Sequence, residues 1–122
     1  MRRPSHPSSR KRRYNPLRPP ENPLVTGCIA VLKSRGALVW RQNQGGAYAH
    51  GYFIRFTRGV DGISDIIGLL PGGRFCAVEC KRKPYKPTKE QLTFIADVRK
   101  KGGFAVAVYS VQELIEALDG GT

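Results

Sequence analysis

Histidine, cysteine and acidic residues are all scarce in this chain. Only His6 and His50 are present in 122 residues, so neither a histidine-based zinc cluster nor Ser–His catalysis is expected. The three cysteines, Cys28, Cys76 and Cys80, are odd in number and lack CxxC spacing. That argues against a disulfide scaffold or a zinc ribbon, and the thiols read as small apolar side chains in a reducing compartment. No apolar run approaches the ~18 residues of a membrane span, and the basic N-terminus has no apolar h-region of a signal peptide. A cytoplasmic protein with no membrane partner is therefore expected. A Gly-rich phosphate loop is also missing, so no nucleotide cofactor or nucleotide-driven motor is expected.

Acid is missing altogether from residues 1–20, which carry seven basic side chains and five of the nine prolines. Such a segment cannot bury apolar surface and is expected to be disordered. It reads as a solubilising tail, a phosphate-binding arm or a nuclear-localisation address, and the sequence leaves the three open. From residue 21 onward there are 14 basic and 9 acidic residues. This second segment, 21–122, is one moderately basic domain whose overall charge points to a polyanionic partner.

Within that domain, Leu24, Val25, Cys28, Ile29 and Leu32 share one face of a helix over about 23–35, which Gly36 stops. Ala37–Arg41 is a short β-like run, 42–51 a polar Gly-rich loop, and Tyr52–Thr57 a strand. Asp65–Leu70 and Phe75–Lys81, joined through Pro71-Gly72-Gly73-Arg74, predict a β-hairpin. Thr88 and Gln91 form a capping-box pattern for a helix to about Lys101, and Gly102-Gly103 ends it. Phe104–Tyr109 is an apolar strand, and Ser110 caps a last helix. The 75–109 segment is a βαβ unit, so its two strands should be parallel. The expected fold is α/β, a mixed central sheet flanked by helices in the order α-β-β-β-β-α-β-α.

The chemistry concentrates in Ser64-Asp65-Ile66-Ile67-Gly68 and Val78-Glu79-Cys80-Lys81. Two carboxylates and a lysine sit at otherwise apolar strand positions, where unpaired charge is costly. Glu79 and Lys81 share a strand face, with Val78 and Cys80 turned into the core. If Leu69 pairs with Phe75, Asp65 falls opposite Glu79, with Cβ atoms ~5 Å apart. A slip of one residue would break the arrangement. Two carboxylates that close repel unless a cation lies between them, and such oxygen ligands suit Mg²⁺. A nearby ammonium could stabilise charge on a phosphate oxygen or orient a water. Glu-x-Lys alone equally describes a surface salt bridge.

With these residues, Gly62-Ile63-Ser64-Asp65-Ile66-Ile67-Gly68, Glu79-Cys80-Lys81 and Pro87-Thr88-Lys89-Glu90-Gln91, the chain resembles a VRR-NUC domain, the virus-type replication-repair branch of the PD-(D/E)XK nucleases. The likeness spans about residues 23–118 and includes Val39-Trp40-Arg41 after the first helix. It implies a restriction-endonuclease-like core and Mg²⁺-dependent DNA hydrolysis, with Mn²⁺ able to substitute. Asp65 and Glu79 would be metal ligands, the Cys80 carbonyl a third ligand and Lys81 the catalytic lysine, with Gln91 at the active site beside its capping role. It also implies a homodimer acting on branched or four-way (Holliday) junction DNA in replication or repair, in a bacterium or a virus-infected cell. The sequence departs from the family in its first helix, where Glu21 is the only acid and Pro23 puts it at or before the helix start.

Arg41, Arg55 and Arg58 flank the site in sequence, and Arg82, Lys83 and Lys86 follow Lys81. All six are candidate DNA contacts, or ordinary surface charge. Two other functional classes compete with cleavage: a nuclease-like module that only binds DNA, and a regulatory subunit whose tail does the work.

Overall fold

The computed structural model describes residues 22–42, 46–55 and 60–120. The expected tail over 1–20 lies outside these, as do Glu21 and Arg58. Helix α1 (Pro23–Ser34) starts where Asn22 accepts hydrogen bonds from the amides of Leu24 and Val25, with Pro23 needing no partner for an N–H it lacks. Strands β1 (Leu38–Arg41), β4 (Ile66–Leu69), β5 (Phe75–Cys80) and β6 (Phe104–Val108) form one sheet in the order β1-β4-β5-β6. The first two pairings are antiparallel. The third, across helix α2 (Lys89–Lys100), is parallel, so the sheet is mixed. Helix α3 (Val111–Asp119) closes the chain.

Strand alternation divides the core between the two faces of the sheet. One face carries Val39, Ile66, Cys76, Val78, Cys80, Phe104, Val106 and Val108 against Val25, Cys28 and Leu32 of α1 and Leu114 of α3. The other carries Ile67, Ala77 and Ala105 against Ile95 and Val98 of α2. Small alanines let α2 lie close over β5 and β6. Among the described residues nothing comparable covers this face at β1, so Leu38, Trp40, Leu69 and Phe75 are exposed there. All three cysteines are free and buried.

The element order departs from expectation in one place. The Gly-rich stretch read as a loop contains strand β2 (Gly46–Ala49), which pairs with β3 (Tyr52–Arg55) in a separate two-stranded sheet. Its cause is the turn between them: His50 has φ 54° and Gly51 φ 84°. Two consecutive left-handed residues match the twist of a tight hairpin. The glycine taken as a sign of loop is there the residue that closes the hairpin.

Candidate active site

The observed register pairs Leu69 with Phe75 and Ile66 with Val78. Continued by one residue, it sets Asp65 opposite Glu79 on the α2 face, the one alignment that brings the carboxylates together. The segment leading to Asp65 is tied on both sides. The Gln42 amide donates to the Asp65 carbonyl at 2.6 Å, and the Cys80 amide donates to Asp65 Oδ2 at 2.9 Å.

Glu79 is only 2% exposed. Its Oε2 accepts from Gln91 Nε2 at 2.9 Å and lies 3.8 Å from Lys81 Nζ, while the buried Oε1 accepts no hydrogen bond among the described residues. Burial, and then the charge of Asp65, pushes the Glu79 carboxyl from 4.5 up to about 8; the Lys81 ammonium pulls the other way and loses. At 3.8 Å that ion pair is loose, too weak to make burial of the carboxylate favourable. The residues present therefore fit a small hard cation. Asp65 keeps Oδ1 beyond its bond to the Cys80 amide, Glu79 has an oxygen with no donor, and two carboxylates plus waters are an ordinary Mg²⁺ ligand set. Among the described residues no cluster of three His, Cys, Asp or Glu side chains is built to hold a metal, so the Cys80 carbonyl and water would complete the set.

Gln91 enters the site because of where α2 begins. The Thr88 hydroxyl accepts the Gln91 amide at 3.1 Å, and Gln91 Oε1 accepts the Thr88 amide at 2.8 Å. That closed capping box turns the Gln91 NH₂ group toward Glu79, so the capping and active-site readings of Gln91 describe one geometry. Gly62 supports it from below. With φ +73°, it lies so close to α2 that a Cβ there would collide with the Glu90 carbonyl. Asp61-Gly62 is a turn-type pair, but nothing in the sequence indicates that the turn rests on α2.

The candidate DNA contacts are distributed unevenly. Arg82, Lys83 and Lys86 are exposed on the connection after Lys81. Arg41 shares a strand face with buried Val39 and so leaves β1 on the α1 side of the sheet, away from the carboxylates. Arg55 ends β3, in the separate hairpin. The described residues thus unite Asp65, Glu79, Cys80, Lys81 and Gln91 in one place with Arg82 beside them, and do not bring Arg41 into it.

A mixed sheet with helices on both faces and paired carboxylates at the end of its central hairpin defines a restriction-endonuclease-like α/β fold. Within that class, the chain has the fold of a solved structure described as a VRR_NUC domain, with TM-score 0.56 and 22% sequence identity over 79% of this chain and 90% of that one. No family model matches the chain, and no curated protein matches it. No helix among the described residues is long and apolar enough to cross a membrane.

Proposed function

We propose that this chain is an Mg²⁺-dependent endonuclease that hydrolyses DNA phosphodiester bonds. The observation that carries the reading is Glu79, a buried carboxylate set opposite Asp65, one of whose oxygens accepts no hydrogen bond among the described residues. A fold stabilised for its own sake has no use for that pairing. Asp65, Glu79 and the Cys80 carbonyl would hold the ion, and Mn²⁺ would substitute for it. The ion would supply charge neutralisation at the phosphate and an acidified water. Gln91 keeps Glu79 oriented through its NH₂ group. Lys81, held within reach of Glu79, places an ammonium where charge develops on the phosphate oxygens.

Branched DNA, including four-way junctions in replication or repair, is the substrate the family likeness suggests, and a homodimer is the assembly. The uncovered apolar face at Leu38, Trp40, Leu69 and Phe75 supports association, and a two-fold dimer would match the symmetry of a four-way junction. The competing reading is a DNA-binding module that does not cut. Having two carboxylates instead of three among the described residues favours it; an anionic pair aimed at phosphate speaks against it. Incubating purified protein with linear, flapped, splayed and four-way DNAs in Mg²⁺ or in chelator separates the two. Cleavage is expected only with metal, and Asp65→Ala, Glu79→Ala and Lys81→Ala should each abolish it while remaining folded. Near-normal cutting by a folded Asp65 or Glu79 variant would overturn the metal-binding roles.

A further inference from the structure

Beyond Lys81, the β5–α2 connection forms one wall of a cavity of about 1040 Å³ at the end of β5 and β6, bounded opposite by the first residues of α1 and α3. Its chemistry is uneven. Lys81, Arg82 and Lys83 line it together with Tyr85 and Tyr109, against a single acid, Glu113. That acid is already engaged, accepting the Tyr109 amide at 2.7 Å. Neither Arg82 nor Lys83 has a carboxylate partner among the described residues. Lys83 Nζ rests 5.9 Å from the centre of the Tyr109 ring, at the outer limit of a cation–π contact. The start of α1 offers little to an anion, because Asn22 takes the amides of Leu24 and Val25. The cavity's attraction therefore lies in free cations and aromatic faces.

The wall is held in place. The Tyr109 hydroxyl donates to the Tyr85 carbonyl at 2.7 Å, and the Tyr85 amide donates to the Arg82 carbonyl at 2.9 Å. With its backbone fixed at both groups, Tyr85 is nevertheless 64% exposed. An aromatic ring displayed on a braced turn beside unpaired cations is suited to stack a flat, anionic ligand.

We propose that this cavity receives an unpaired nucleotide of the DNA strand that crosses the catalytic groups, its base against Tyr85 and its phosphate against Arg82 and Lys83. The proposal rests on the nuclease reading for which strand is bound, and it narrows the substrate class to DNA with unpaired nucleotides beside the scissile bond. Lys81 belongs both to the Glu79 cluster and to the cavity lining, so the cavity begins where the catalytic groups end. Arg82 and Lys83 are adjacent and exposed, so their long side chains can reach phosphates of the strand that leaves the catalytic groups. A base reaches a pocket wall only after leaving its stack, which is least costly where it is already unpaired. Stacking on tyrosine is tolerant of base identity, so preference for structure over sequence follows.

The test reads binding in chelator, where no turnover is needed. The full chain is titrated into a splayed duplex carrying 2-aminopurine at its unpaired positions, and separately into a blunt duplex of the same length. Wild-type protein should quench the fluorescence as the base stacks. Tyr85→Ala should abolish the quench and weaken binding to the splayed duplex about tenfold, the scale of one lost stacking contact. Tyr85→Phe keeps the ring and should behave as wild type. Tyr85 is exposed, and a thermal melt checks that both variants fold. Persistence of the quench in Tyr85→Ala, or an equal loss of affinity for the blunt duplex, would overturn the proposal. A chain that quenches and binds in this way but never cuts in Mg²⁺ would refute the nuclease reading and uphold the cavity.

Discussion

Replacing Glu79 with glutamine isolates the electrostatic tension at the centre of the molecule. Burial and Asp65 move the Glu79 carboxyl from 4.5 to about 8. At about 1.4 kcal/mol per pKa unit, ionising it costs the metal-free fold at most about 5 kcal/mol, a large share of the ~5–15 kcal/mol that holds a domain together. The folded state keeps the proton to higher pH than the unfolded chain does. Between pH 4.5 and about 8 it thus binds more protons, and stability falls as pH rises. Glutamine abolishes this dependence. It can still accept from Gln91, and its amide can donate to Asp65. In chelator, Glu79→Gln should melt close to wild type at pH 5 and at least about 8 °C higher at pH 8.5, given ~4–8 °C per kcal/mol for a domain of this size. Adding millimolar Mg²⁺ should raise the wild-type melting temperature more at pH 8.5 than at pH 6, where the ion must displace a proton. The same addition should leave the variant unmoved. Melting followed by circular dichroism across this pH series decides. A gap that does not change with pH, or a variant less stable than wild type at pH 8.5, would refute the account of Glu79.

Gly62→Ala places a Cβ against the Glu90 carbonyl at a left-handed φ. It should lower stability by about 2–3 kcal/mol in denaturant unfolding and reduce kcat more than it raises KM, because the start of α2 carries Gln91. Deleting residues 1–20 removes seven cations; DNA affinity should fall and its salt dependence flatten while saturating turnover persists, and an unchanged salt slope in a binding titration would dismiss the arm. Light scattering at micromolar concentration should give twice the 13.5 kDa chain mass. A monomer that stays one protein per junction would remove the dimer.

What could be read from the sequence was what local rules govern. Asp65 opposite Glu79 followed from strand alternation and a four-residue turn, the parallel β5–β6 pair from its helix, and the start of α2 from Thr88 and Gln91. What escaped depends on contacts between distant segments or on backbone angles. No pattern in residues 60–64 announces that Gly62 touches Glu90, nor does Tyr109 reveal that its hydroxyl braces Tyr85. The β2–β3 hairpin was hidden because His50-Gly51 is not a usual hairpin pair. Arg41 pairs with Ile66, one residue from Asp65, yet the two-residue period that buries Val39 sends its side chain to the α1 side of the sheet.

Gln91 answers to two customers with one amide. The helix end requires an acceptor at this position, and its carbonyl oxygen meets Thr88; the buried carboxylate requires a donor, and its nitrogen meets Glu79. Glutamate would keep the cap and set a third negative charge in the pair. Lysine would reach Glu79 and leave the Thr88 amide bare, and asparagine carries both groups on a stem one carbon too short to span them. Of these side chains glutamine alone satisfies both ends, so one substitution at position 91 removes a helix cap and a contact to the buried carboxylate together.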